Sequence, residues 1–241
     1  MSKIKNVLLK RLLSSGRNLV SLADHYQVMR DLMQGHRVAG LLDAGASDGR
    51  VTRKLLRAFP DAEAYLFEAH PKYRDALTSY SHNNSQVHPQ FEVLSDASGS
   101  LDLIICSDTG KTSLLPFTKA TAENSAAAGE QTSSLTVPST TIDDWRERNG
   151  QPPVEVMKFD IQAGELMALR GATRTLTEST RLIYTEVFFN PMYQNGALLG
   201  DLDRFLRDFG FILYDLYKIK YFRSGALSYA NAIFVHEDLL T

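Results

Sequence analysis

Short apolar runs alternate with amphipathic stretches along most of the chain. Val38-Ala39-Gly40-Leu41-Leu42-Asp43-Ala44 is an apolar run closing on an acid, and Gly45-Ala46-Ser47-Asp48-Gly49 follows it. In residues 51–59 the apolar positions Val51, Leu55, Leu56 and Phe59 share one helical face. The pattern predicts strand, tight turn and helix. A second strand is expected at Ala64-Tyr65-Leu66-Phe67-Glu68, then a helix over 71–80 and a polar loop over 81–89. Residues 91–94 read as the third strand and 101–106 as an added hairpin strand. Thr140-Thr141-Ile142-Asp143-Asp144-Trp145 opens a helix with a hydroxyl cap and acids in its first turn, and Trp145 is expected in the core. Strands over 154–161 and 182–189, each followed by a helix (166–178 and 198–209), continue the alternation. Strands at 211–216 and 230–235 have no helix between them, so an antiparallel pair is expected. Alternation of this kind predicts an open α/β domain with a mostly parallel sheet.

Two stretches break the pattern. In residues 1–37, Ile4, Val7, Leu8, Leu12 and Leu13 form an apolar stripe beside Lys3, Lys5, Lys10, Arg11 and Arg17, with no acid before Asp24. A helical extension to a domain spanning 38–241 is expected. It suits docking on its own domain or on a second copy; contact with an anionic membrane surface and an organellar transit peptide are the alternatives. Residues 118–134 are rich in Ala, Thr, Ser and Glu and read as a loop, either a lid or a solvated insertion.

Composition narrows the classes. The 241 residues fit one large α/β domain with an extension, and a net charge of −2 argues against a nucleic-acid partner. The single cysteine, Cys106, excludes an internal disulfide and a cysteine zinc cluster and reads as a small hydrophobe in a strand. No apolar run approaches a membrane span and no clean signal peptide is visible, so a cytoplasmic location is expected.

The candidate chemistry lies at the strand ends. The glycine turn reads Asp43-x-Gly45-x-x-x-Gly49, unlike the G-x-G-x-x-G that cradles a pyrophosphate. A turn with a carboxylate suits the amino-acid end of a zwitterionic, phosphate-free ligand, S-adenosylmethionine; the plain alternative is an ordinary strand-to-helix turn. Glu68 stands where a doubly wound sheet grips ribose hydroxyls, and Asp96 is placed to meet an adenine amino group. A solvated strand-end acid and a turn Asp before Gly99 are their ordinary readings.

Six segments then fall into a familiar order. Asp43–Gly49, Phe67–Pro71, Ser95-Asp96, Thr140–Trp145, Lys158–Glu165 with Leu169–Ala172, and Glu186–Tyr193 resemble, in this sequence, the motifs of FkbM-type methyltransferases. Phe205–Phe211 and Asn231–Val235 resemble that family's closing pattern, so the resemblance spans about residues 38–236. It implies a Rossmann-like, seven-stranded class I fold, S-adenosylmethionine as methyl donor, and a hydroxyl on a sugar, glycan or polyketide-like metabolite as acceptor. Two positions depart: Asn231 stands where an acid is frequent, and Gln162-Ala163-Gly164 where Glu-Gly or Gln-Gly is usual.

In that reading Gly45, Ala46 and Gly49 form the turn under the methionine portion, with Asp43 near its ammonium group. Glu68 holds the ribose and Asp96 faces the adenine; Asp48, Ala69 and Ala97 complete the expected cofactor contacts. Asp160, at the end of the fourth strand, is the first candidate for the general base, its alternative being to orient the cofactor. Glu186 is the second, with His70 and His236 behind. A divalent ion on Asp160, Glu186 and Asn190 is conceivable but not demanded, and no resident metal is expected. The rival classes are a nicotinamide-dependent oxidoreductase, which the missing G-x-G-x-x-G disfavours, and a non-catalytic nucleoside-binding module.

Overall fold

The computed structural model describes residues 24–119, 121 and 131–240. The apolar stripe of residues 4–13 and the centre of the expected 118–134 loop lie outside them. The main sheet has seven strands: β1 (Gly40–Ala44), β2 (Glu63–Phe67), β3 (Val87–Gln90), β7 (Val156–Phe159), β8 (Leu182–Phe188), β9 (Phe211–Tyr217) and β10 (Tyr229–His236). Their spatial order is β3-β2-β1-β7-β8-β10-β9. All neighbours are parallel except β10, which runs antiparallel to both β8 and β9. This is the mostly parallel sheet expected from the strand-helix alternation, with the seven strands and antiparallel C-terminal strand that the family resemblance implies for a class I methyltransferase fold.

Side chains alternate across each strand, so successive residues enter different layers. Leu41, Val156 and Leu182 pack with Met29 of α1 (His25–Leu32), Leu55 of α2 (Arg50–Ala58) and Leu77 of α3 (Arg74–His82). Leu42, Met157 and Ile183 face the other layer. There they meet Trp145 of α4 (Ile142–Arg148), Leu169 of α5 (Glu165–Arg170), Leu176 of α6 (Thr173–Glu178) and Leu206 of α7 (Leu199–Arg207). Trp145 is buried as expected, edge-on to Tyr65 and Phe67 at 4.8 and 5.3 Å. Asp24 caps α1 by accepting from the Tyr26 N–H at 3.1 Å, and Met29 and Met33 are buried, so this part of the extension belongs to the core.

Three local expectations are corrected. The third strand of the main sheet is β3, inside the expected polar loop; β4 (Val93–Leu94) lies in a separate sheet. Pro89 hides β3, yet a proline is tolerated there because β3 pairs only with β2 and one side is an open edge. Residues 131–134 are strand: β6 (Gln131–Thr140) pairs antiparallel with the expected hairpin strand β5 (Gly99–Cys106) and parallel with β4. Val137 and Ser139 are buried while Leu135 and Thr136 are exposed, so β6 offers little apolar pattern. The expected helix over 166–178 breaks into α5 and α6 at Gly171. A Cβ on Gly171 would lie 2.2 Å from the Ser95 carbonyl oxygen, so the close approach of the β4–β5 segment forces the break.

Candidate active site

The parallel strands end on one edge, and the strand order reverses between β1 and β7. A cleft opens there, as the topology of doubly wound sheets dictates. It is lined by Gly45, Ser47, Phe67, Glu68, Ala69 and His70 on one side. Glu92, Val93, Leu94 and Leu103 line it on another, residues 109–114 close it, and Asp160, Ile161 and Gln162 stand at its end.

The turn after β1 is built by backbone geometry. Gly45 has φ +71°, and a Cβ there would lie 2.0 Å from the Asp160 carbonyl oxygen. Only glycine allows the β1 and β7 turns to come this close. Gly49, with φ +76°, precedes α2 and packs against Tyr80.

Asp43 is not on the cleft wall. It is fully buried, its Oδ2 accepting from the Thr52 hydroxyl at 2.6 Å and its Oδ1 lying 2.8 Å from Lys158 Nζ. Lys158 also donates to the carbonyls of Ala44 (3.1 Å) and Gly45 (2.9 Å). Burial disfavours the charged ammonium, but the Asp43, Asp160 and Glu68 carboxylates outweigh it and raise its proton affinity. Asp43 thus holds the turn from beneath, and the expected contact with a ligand ammonium is replaced by one with Lys158. Register explains it: Asp43 and Lys158 are paired neighbours on adjacent strands. A lysine inside the apolar run Val156-Met157-Lys158-Phe159 was the signal available in the sequence.

Glu68 sits where it was expected. Its Oε2 accepts from the Ser47 N–H and its Oε1 from the His70 N–H, both at 2.8 Å. Burial raises its proton affinity, and those two amides oppose the rise. A carboxylate offers about four acceptor positions, so two remain for a pair of hydroxyls. Ala69 lines the cleft beside it. Ala46, Asp48 and Gly49 lie behind the turn, Asp48 paired with Arg50 at 2.9 Å.

Asp96 and Ala97 are exposed and off the cleft; Asp96 accepts from the Ser95 hydroxyl at 3.2 Å and the Ala97 carbonyl from Ser139. With β4 drawn into the second sheet, Glu92 is the acid on the cleft wall, paired with Arg148. Burial raises the proton affinity of Glu92 and the Arg148 charge lowers it.

At the far end Asp160 is exposed at the tip of β7, and Glu186 stands on β8 just behind. Gln162 joins them: its Nε2 donates to Asp160 Oδ1 and to Glu186 Oε2, each at 3.0 Å. The Gln162 Oε1 accepts from the Tyr193 hydroxyl at 2.6 Å, and its carbonyl accepts from the Ser113 hydroxyl at 2.6 Å. Burial, then the charges of Asp160 and Glu165, push the Glu186 carboxyl well above the usual carboxylate range. Glu165, buried at the start of α5, accepts from the Ile161 N–H at 3.0 Å, and burial pushes it up to about 7. Lys158, Gln162 and Glu165 complete this network of contacts, and although they lie within the Lys158–Glu165 motif the sequence reading gave none of them a role.

His236 lies at the other edge, where β10 pairs with the first residue of β9, and is bound to Asp238. His70 lines the cleft with its Nδ1 accepting from the Lys72 N–H. Asn190 spends its amide on the Leu227 carbonyl at 2.7 Å. Among the described residues no group of three His, Cys, Asp or Glu is placed to hold a metal ion, and no helix is long and apolar enough to cross a membrane.

These features fit S-adenosylmethionine: an apolar wall of Phe67, Leu94 and Leu103, a strand-end carboxylate with free acceptor positions, and a phosphate-free glycine turn. Residues 43–213 match the methyltransferase FkbM domain. The 2-O-methyltransferase NoeI of Sinorhizobium fredii (strain NBRC 101917 / NGR234) is 26% identical over 182 residues, 72% of each chain. Aeropyrum pernix fibrillarin with bound S-adenosyl-L-methionine aligns at TM-score 0.43 and 11% identity, covering 87% of this chain and 74% of its own. The magnesium protoporphyrin IX methyltransferase of Synechocystis PCC 6803 aligns at 0.41 and 12%, covering 97% and 98%. The chain belongs to the FkbM methyltransferase family, and S-adenosylmethionine is its methyl donor.

Proposed function

We propose that the protein is an O-methyltransferase acting on a hydroxyl of a sugar, glycan or related small molecule, with Asp160 as general base. The observation that carries this is the placement of Asp160: an exposed carboxylate at the tip of β7, beside the strand reversal and on the cleft wall. Glu68 holds the ribose from the tip of β2, and the Gly45 turn passes under the methionine portion. When bound, S-adenosylmethionine supplies an electrophilic methyl group on a sulfonium. Asp160 takes the acceptor's proton as the hydroxyl oxygen bonds to the methyl carbon and the carbon–sulfur bond breaks. Glu186 stands behind the base with its proton affinity raised by burial and by the charges of Asp160 and Glu165, which disfavours a second charge beside Asp160. The similarity to a 2-O-methyltransferase supports the choice of a hydroxyl acceptor.

The test uses methyl-labelled S-adenosylmethionine against a panel of sugars, oligosaccharides and simple polyols. Asp160→Asn preserves the oxygen facing Gln162 and is expected to lower turnover about 100-fold or more, with S-adenosylhomocysteine affinity within about twofold. Full turnover in Asp160→Asn would remove the base assignment.

A further inference from the structure

Gln162 is held more tightly than a turn residue requires. Its φ is +56° and that of Ala163 is +73°, two consecutive non-glycine residues in the left-handed region. Such strain is sustained only where the surroundings over-determine it. Here the constraint is visible. Ser113, beyond β5, binds the Gln162 carbonyl; Tyr193, beyond β8, binds its side-chain oxygen; Glu165 binds the preceding amide at Ile161. Tyr193 is 2% exposed and packs tilted against Phe117 at 5.0 Å and edge-on to Phe188 at 5.7 Å, so its ring is held in place.

The chemistry also dictates which way the carboxamide faces. Reversing it would put its oxygen against two carboxyl groups and its NH₂ against a hydroxyl already directed at it. In the orientation present, each N–H of the NH₂ meets one acid. We propose that Gln162 is the positioning residue of this site, its carboxamide locked by Tyr193 so that it holds the Asp160 carboxylate in one orientation on the cleft wall with Glu186 behind it. The proposal rests on the reading of Asp160 as the base.

The charged and titratable groups around the pair are Tyr26 on α1, Lys158 on β7, Glu165 on α5, Tyr184 on β8, Tyr193 beyond it, Tyr229 on β10 and Lys218 after β9. Among them Gln162 is the neutral side chain that donates to both acids at once. The N–H that Glu186 accepts favours its ionised form, so removing it raises the proton affinity of Glu186.

Gln162→Asn tests this directly. Asparagine accepts the left-handed conformation readily, but its shorter side chain cannot reach Tyr193 and both acids. In protein carrying ¹³C at the glutamate carboxyl, with the Glu186 resonance assigned through Glu186→Gln, the Glu186 midpoint is expected to rise by about one pH unit. Tyr193→Phe, which leaves the Gln162 backbone in place, is expected to shift it the same way by less. In methyl-transfer assays kcat falls while S-adenosylhomocysteine affinity stays within about twofold. Unchanged Glu186 midpoints in both folded variants would overturn the proposal, as would cofactor affinity falling in step with turnover. Should the wild type bind no S-adenosylhomocysteine, the methyl-transfer reading fails, while the midpoint shift would still report the clamp.

Discussion

At the scale of single residues, the site depends on a few groups with no tolerant substitute. Lys158 and Asp43 form an ion pair at 2.8 Å with 3% and 0% of their side chains exposed. Removing one partner strands the other charge in the interior, so Lys158→Met is expected to cost about 3–5 kcal/mol, read as a fall in the urea midpoint. Gly45→Ala places a methyl group 2.0 Å from the Asp160 carbonyl at a positive φ, so it separates the β1 and β7 turns. That variant is expected to lose cofactor binding as well as stability, where Gly35→Ala, with open space at its Cβ, loses only the strain of its own φ of +87°. Parallel calorimetry and denaturation separate the two. Glu68 and Asp160 were legible as strand-end acids because strand ends are marked by the change from apolar to polar residues. Asp43 was equally legible as an acid, but its partner was not: Lys158 lies 115 positions away and meets it only through strand register. Asp96 misled for the converse reason, since β4 leaves the main sheet just before it.

At the scale of elements, the β7–α5 turn gathers Asp160, Gln162 and Glu165 into six consecutive residues. Glu165 is buried, and its carboxyl is pushed from 4.5 up to about 7 chiefly by burial. An acid whose folded proton affinity is raised stabilises the fold fully below its unfolded pKa, and that contribution is lost as pH rises from about 4.5 through about 7. Glu165→Gln is expected to abolish this decline, worth on the order of 2 kcal/mol, while retaining an acceptor for the Ile161 N–H. Denaturation curves of wild type and variant at pH 5 and pH 8 measure it. The strands and helices with strong periodicity were readable. The three-stranded insert was only half readable, because β6 is Ser- and Thr-rich and exposes Leu135, so its pairing with β5 carries little apolar signal.

At the scale of the whole molecule, α1 closes one face of the sheet. His25 stacks on Tyr184 of β8 at 4.9 Å, with Tyr217 of β9 at 5.7 Å. Burial, with Lys218 next, lowers its pKa from 6.5 to about 4. A base depressed in the folded state contributes stability above pH 6.5 that is lost as pH falls towards 4. With solvent screening taken into account the loss between pH 7 and 5 is about 1 kcal/mol, and His25→Phe is expected to remove it. The windows of His25 and Glu165 overlap with opposite sign, so the wild-type curve is expected to be flatter than that of either variant. The mostly parallel sheet with an antiparallel last pair was legible, while the count of seven came with the family resemblance and the third strand was misplaced at 91–94. Alternation of strand and helix leaves few topologies, and the missing helix before the last strand marks the antiparallel turn.

The proposed methyl transfer requires that the cleft between β1 and β7 bind S-adenosylmethionine through Glu68. Calorimetric titration of the purified protein with S-adenosylhomocysteine, with NADH as control, tests it most directly. Micromolar binding, about −8 kcal/mol, is expected, with none to NADH, and an affinity at least about tenfold weaker in folded Glu68→Ala. Binding of NADH in place of S-adenosylhomocysteine, or an affinity that Glu68→Ala leaves unchanged, would contradict it.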